Sequence, residues 1–210
     1  MLLERVEIVG FRGINRLSLQ LEQNNVLIGE NAWGKSSLLD ALTLLLSPED
    51  DLYHFVHDDF WFPPGDVAGR EKHLHIILTF RESEPGRHRV RRFRPMSPCW
   101  VPCDDDYHRI FYRLEGEMAE NDGVLTLREF LDEKGNPIPL ENIDDLARHL
   151  KALTSRWDVS VLLVEHDMDV VFGISDAVTV FELGRVIASG DPATVRADAR
   201  VREAYLGSAA

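Results

Sequence analysis

Cysteine is nearly missing from this chain of 210 residues. Two thiols, Cys99 and Cys103, stand four apart in the loop SPCWVPCDDD, with His108 the nearest histidine after them. A structural zinc centre wants four ligands, and no second Cys pair is present, so two ordinary thiols are expected rather than a zinc site or a disulfide framework. Long apolar runs are missing too. None approaches the ~20 residues that span a bilayer, and no charged, then apolar, then small-residue leader opens the chain, so a soluble, cytoplasmic protein is expected. Basic residues are outnumbered: 23 Lys and Arg face 36 Asp and Glu, for a formal charge of -13. That balance argues against polyanion binding by the whole surface, though a local basic patch is compatible with it. No internal repeat is visible. What is present is a hydrophobic content of 44%, enough for a real core in one medium domain or a domain with a small appendage.

Leu2 to Val9 and Leu17 to Leu21 carry apolar residues in a β-like register around Gly10 and Gly13, which predicts an opening hairpin. A short buried strand follows at Val26–Ile28, then a glycine-rich loop, then an apolar helix from Lys35 to about Leu46 that Ser47 and Pro48 end. Residues 50–70 read as an irregular, packed aromatic loop. His73–Phe80, Arg89–Arg94 and Tyr107–Leu114 read as β-rich, whereas Leu125–Leu131 and Asp144–Leu153 read as helical. The texture changes near residues 150–158, where VSVLLV reads as a strand buried on both faces. A strand at Ala177–Phe181, a turn at Gly184, a third short strand and an amphipathic helix from Pro192 to Leu206 complete the pattern. The expected class is α/β with an antiparallel β-layer attached, divided as residues 1–150 and 151–210 that pack as one compact head.

Residues 29–36, GENAWGKS, meet the pattern G-x-x-x-x-G-K-S/T through Gly29, Gly34, Lys35 and Ser36. Glycines at this spacing let the backbone wrap, so that several N–H groups of Gly29, Glu30, Asn31, Ala32, Trp33 and Gly34 face β- and γ-phosphate oxygens. The helix that follows adds its positive N-terminal end, and Ser37 continues that first turn. Lys35 supplies a mobile charge, and the Ser36 hydroxyl is the expected ligand of Mg2+. ATP with Mg2+ is therefore the expected ligand. A strand before the motif and a helix after it are what a functional phosphate loop requires.

LERVEIVGFRGINRLSLQLEQNNVLIGENAWGKSSLLDALTLLLSP, with DDFWFPPGD, HLHIILTFRE, GRHRVRRFRP and YHRIFYRLEGE, resembles the N-terminal ATPase segment of the overcoming-lysogenization-defect (OLD) family of ATP-dependent endonucleases. The likeness runs to about residue 149. It implies an ABC/SMC-type P-loop head whose composite sites form between two heads, hence a homodimer, and in full-length members a C-terminal Toprim nuclease domain. No Toprim site is expected in these residues, because Asp167 and Asp169 belong to a motif of another kind. Phe11 and Arg12 match positions that flank the nucleotide base or phosphates in resembling ATPases, with core packing as the alternative for Phe11.

VSVLLVEHDMDVVFGISDAVTVFELGRVIASGDPATVRADARVREAYLG is similar to the C-terminal end of ABC transporter ATPases, most of all those that energise branched-chain amino-acid import. That resemblance implies that His166 is the switch residue contacting the γ-phosphate, and that a membrane-transporter subunit is the partner under this second reading. An ABC head also needs a signature segment of the LSGGQ kind and an apolar strand ending in Asp-Glu. Neither occurs in these residues. Glu165 is the nearest substitute as a metal or water partner, with Asp58 and Asp59 read as capping or solvated residues. The chain thus reads as an incomplete head in which weak or absent ATP hydrolysis is expected. A natural recombinant, a degenerate gene and an engineered joining all fit.

RHRVRRFR, Arg87 to Arg94, alternates basic residues with Val90 and Phe93. On a strand, one face would be cationic and would suit a DNA backbone. A solvated strand balanced by neighbouring acids is the plainer reading.

Overall fold

The structure is a computed structural model, and it describes residues 1–22, 24–28, 34–46, 51–62, 72–119, 123–154, 161–164, 175–182 and 185–206. Alternation of apolar and polar side chains builds the first sheet. Strand β1 (Leu2–Phe11) pairs antiparallel with β2 (Ile14–Gln20), with Val6 opposite Leu19 and Phe11 opposite Ile14. The expected hairpin is therefore formed. On its other side β1 pairs antiparallel with β4 (His73–Arg81), and β4 with β6 (His108–Met118). Beyond β6 lie the short β5 (Val101–Pro102) and β7 (Val124–Leu131), each pairing with a different part of it. Every second residue on these strands faces inward: Val6 and Ile8, Leu17 and Leu19, Leu74, Ile76, Leu78 and Phe80, Ile110, Tyr112 and Leu114, and Phe130 are all buried. The period of two gives the sheet one dry face and one wet one.

The second sheet has the order β10-β9-β3-β8. Strand β3 (Asn24–Ile28) runs parallel to β8 (Val161–Val164) on one side and to β9 (Ala177–Glu182) on the other, and β10 (Arg185–Gly190) closes the edge antiparallel to β9. Segments from both ends of the sequence thus share one sheet. Its two faces enter different clusters. Leu27 and Phe181 join the core lined by the inner face of the antiparallel sheet, by Leu38, Ala41 and Leu45 of α1 (Lys35–Leu46), and by Ala147 and Leu150 of α2 (Ile143–Thr154). Val26, Val178 and Val180 turn the other way and pack with Ala188, Val195 and Val201. Cover on both faces explains why β9 reads as a continuous apolar run.

Residues 51–62 pack as the aromatic composition suggested. Leu52, Phe55 and Phe60 are buried, and Phe60 forms a bridge to Phe11.

Three local expectations are corrected. Leu125–Leu131 forms strand β7, not a helix: it pairs along β6 from Leu125 opposite Glu117 to Leu131 opposite Phe111. Its outward leucines, Leu125 and Leu127, are 61% and 48% exposed, so apolar residues stand on both faces and disguise the period of two. Arg89–Arg94 is not a strand. Arg87–Arg89 and Arg91–Cys99 are 3-10 turns, and Val90, Phe93, Met96 and Cys99 point inward at every third position. That spacing is the threefold period of a 3-10 helix, and Pro95 and Pro98 remove the donors a ladder would need. Finally, the C-terminal helix is not continuous. Asp191 caps α3 (Pro192–Ala197) by accepting from the Thr194 N–H at 3.0 Å, and extended backbone at Asp198 interrupts it before Ala199–Val201 and Arg202–Leu206. The Asp198 side chain accepts from the Arg200 N–H at 2.8 Å, so a second capping aspartate starts a new turn where a single helix was expected.

Among the described residues no helix is long and apolar enough to cross a membrane.

Candidate functional site

The site is built where β3 hands over to α1. Gly34 adopts φ +90°, a conformation open to glycine, and its carbonyl accepts the first helical hydrogen bond from Leu38 N–H at 3.0 Å. Lys35 opens the helix and is buried, only 4% exposed, whereas Ser36 is exposed and Ser37 half-buried. Gly29, Glu30, Asn31, Ala32 and Trp33 lie outside the described residues, as do Glu165 and His166.

The hairpin turn leans on this helix. The Gly13 N–H donates to Ser37 Oγ at 3.1 Å, and a Cβ on Gly13 would meet that oxygen at 3.1 Å. Arg12, at φ +46°, reaches two carboxylates. Its Nε donates to Asp59 Oδ1 at 2.9 Å and an Nη to Asp40 Oδ2 on α1 at 2.5 Å. Burial works against the Arg12 charge, yet the hydrogen bonds and charges of Asp59 and Asp40 outweigh it and raise the guanidinium pKa. Arg12 is thus a clamp between α1 and the 51–62 segment. Phe11 is fully buried and packs its ring 6.2 Å from that of Phe55, so of the two readings given to it the structure shows core packing.

Asp59 is a capping residue and not a solvated one. It is fully buried, and its Oδ2 accepts from the Tyr53 hydroxyl at 2.8 Å and from the Val56 N–H at 3.0 Å. Burial, and then the hydrogen bond to Asp59, push the Tyr53 phenol up to about 12. Asp58 is exposed. Cys99 is buried and Cys103 half-buried, both as free thiols. Arg87, Arg89, Arg91, Arg92 and Arg94 are all exposed on the 3-10 segment, so the basic run forms an outward ridge in place of one face of a strand.

One cluster escapes the sequence altogether. Glu82, His88 and His108 converge from the end of β4, the first 3-10 turn and the start of β6. Nothing in their spacing announces it, because only the pairing of β4 with β6 brings the second histidine across.

Residues 1–157 match a family described as a protein of unknown function (DUF2813). The chain belongs to the DUF2813 family. Within it, the uncharacterized protein YbjD of Escherichia coli K12 is 79% identical over 153 residues, which cover 73% of this chain and 28% of that relative. The DUF2813 chain thus spans little more than a quarter of YbjD. Residues 185–210 match a different family, described as branched-chain amino acid ATP-binding cassette transporter. The high-affinity branched-chain amino acid transport ATP-binding protein BraF of Pseudomonas aeruginosa is 40% identical over 249 aligned positions, covering 95% of this chain and 94% of BraF. Among solved structures, an SMC head domain from Thermotoga maritima aligns with a TM-score of 0.36 and 16% identity, over 69% of this chain and 41% of that one. The match to BraF, which covers nearly all of both proteins, relates this DUF2813 chain to the ABC ATP-binding proteins as well, and the fold sets β3 before the glycine-rich stretch and α1 after it, with an antiparallel sheet alongside.

Proposed function

We propose that the chain is the Mg-ATP-binding part of an ABC/OLD-type ATPase head with little turnover of its own. The observation that carries this reading is the buried Lys35 in the first turn of α1, directly after Gly34 at positive φ and at the end of the central parallel strand. Backbone N–H groups from Gly29 to Gly34 and the Lys35 ammonium would hold the phosphates, Ser36 and Ser37 would line the first helical turn, and the Ser36 hydroxyl would face Mg2+. When bound, Mg2+ would bridge the β- and γ-phosphates and offset their charge.

The register of the parallel strands supports a role for Glu165 and His166. Val164 stands opposite Leu27, so the chain leaves β8 at the same end of the sheet from which β3 runs into the glycine loop. In doubly wound sheets that end is where ligands bind. His166 would sense the γ-phosphate and Glu165 would approach the metal or an attacking water. Because these 210 residues include no LSGGQ-like segment, and their Asp-Glu pair, Asp132-Glu133, follows β7 of the antiparallel sheet and not a strand of the parallel one, hydrolysis would need a second head or further partners, consistent with a homodimer in the cytoplasm.

The test is Mg-ATP titration of the purified chain, followed by a turnover assay. We expect saturable binding that Lys35→Ala weakens at least roughly tenfold, with little phosphate release. Vigorous hydrolysis abolished by Lys35→Ala would contradict the claim that parts of the machinery are absent.

A DNA-processing role follows from the OLD resemblance and is supported by the five exposed arginines between residues 87 and 94. Phosphate contacts make binding fall with salt, so the triple change of Arg89, Arg91 and Arg92 to Ala should lower both DNA affinity and its salt slope. DNA affinity unchanged by that triple change would remove the ridge from the interface. The tail that matches the branched-chain importer family favours a second reading, an importer subunit, which predicts binding to a transporter's membrane domain in place of DNA.

A further inference from the structure

Glu82 is a fully buried carboxylate on the residue that follows β4. Its two oxygens are shared evenly. Oε2 accepts from the His88 N–H at 2.8 Å and faces His88 Nδ1 at 2.9 Å, whereas Oε1 accepts from the His108 N–H at 2.8 Å and faces His108 Nδ1 at 3.1 Å. The two imidazoles stack with their centroids 3.7 Å apart and their planes 27° apart. Among the described residues, the ion-pair partners of Glu82 are these two rings and no lysine or arginine. A buried carboxylate without a fixed cation is costly, and a cation lodged between its oxygens and two ring nitrogens would offset the charge.

We infer that Glu82, His88 and His108 form a site for one divalent first-row transition ion, held by the Glu82 carboxylate and the Nδ1 atoms of both histidines. One donor atom from each of the three residues lies within 4.8 Å of the others. Bonds of roughly 2.1 Å to such an ion place neighbouring donors about 3.0 Å apart in an octahedral shell, and the two carboxylate-to-imidazole distances are 2.9 and 3.1 Å. Imidazole and carboxylate together suit Zn2+, Fe2+, Co2+ or Ni2+ better than Mg2+ or Ca2+, which take oxygen ligands. Two-His-one-carboxylate sets leave coordination positions open, and the side chains of His88 and His108, at 14% and 25% exposure, leave a way in from solvent. The backbone N–H donors hold the carboxylate in place as the outer partners of a metal ligand do. The consequence for the fold is a clip: the ion would tie the 3-10 segment to the two central strands of the antiparallel sheet.

The probe is Co2+, added without nucleotide to the full chain after treatment with a chelator. We expect one equivalent bound with visible d–d absorption, displaced by Zn2+, and no thiolate charge-transfer band. His88→Gln, His108→Gln and Glu82→Gln should each weaken Co2+ binding by roughly tenfold or more, while Lys35→Ala leaves it intact. Should the variants fail to fold, the wild-type spectrum decides: two exchangeable, paramagnetically shifted imidazole N–H signals are expected in the proton NMR of the Co2+ form. Absence of binding by the wild type, binding unchanged in folded histidine variants, a thiolate band, or fewer than two shifted imidazole protons would overturn the site.

Discussion

Gly10 stands at φ +71°, and a Cβ there would lie 2.8 Å from the carbonyl oxygen of His73. Both facts come from one crowded crossing, where β1 ends against the start of β4 and the Gly10 carbonyl accepts from the Trp61 N–H at 2.8 Å. Gly135, at φ +82°, has nothing within 4 Å of its would-be Cβ. The pair separates backbone strain from collision. Gly135→Ala should cost about 1 kcal/mol, the cost of a left-handed alanine, and Gly10→Ala at least about 2 kcal/mol, because the carbonyl has to move as well. Urea denaturation of the two variants checks the difference, and equal losses would show that the crossing relaxes freely.

At the scale of an element, the 3-10 segment Arg91–Cys99 is held by one narrow row of side chains. Phe93 is 2% exposed and meets Trp100 edge-on at 5.7 Å, and Met96 and Cys99 are fully buried. Phe93→Ala should therefore cost about 3–5 kcal/mol, whereas Arg91→Ala, on the exposed ridge, should stay within about 0.5 kcal/mol; the two urea midpoints measure it. This is also the segment that the sequence misrepresented. Val90 and Phe93 are residues that favour strands, but they stand three apart, which a strand would split between its two faces, and the continuation through Met96 and Cys99 fixes the period at three. Strand β7 was misread for a related reason, since Leu125 and Leu127 are apolar without being buried. The hairpin, α1 and the runs of β4 and β6 were legible because burial there follows the simple periods, and β9 because its residues from Ala177 to Phe181 are all buried. Around the proposed site, the start of α1 at Lys35 was legible from the sequence, but the Arg12 clamp to Asp40 and Asp59 was not. Contacts between residues so far apart in the chain leave no local signal. Glu82 and His88 are near neighbours in the chain, but His108 joins them only through the pairing of β4 with β6.

Across the whole molecule, three weak acids titrate late: Cys99 and Tyr112, both buried, and the half-buried Tyr53. Burial pushes the Cys99 thiol up to about 12 and the Tyr112 phenol up to about 12, and burial with the Asp59 hydrogen bond does the same for Tyr53. In the unfolded chain such groups lose their protons near their ordinary values of 9.0 and 10.0. Between those values and about 12 the unfolded state binds fewer protons than the folded one, so stability is fully present below about pH 9 and falls as pH rises. The urea midpoint should drop steadily between about pH 9 and pH 12, and the slope should flatten in Cys99→Ala and Tyr112→Phe. A midpoint that stays level over that range would contradict the burial of these groups.

The central strand of the second sheet has a consequence in time as well as in space. Asn24 pairs with Val161, and Asn25 with Ala177, so both neighbours of β3 are made late in synthesis. The hairpin of β1 and β2, and the pairing of β4 with β6 and of β6 with β7, need only nearer segments and can form while translation continues. On the ribosome, the strand that leads into the glycine loop waits with both edges open until β8 and β9 emerge. Nucleotide competence would then be gained only after β8 and β9 have emerged, and ATP, by binding the finished sheet, would favour completion of that step over its reversal.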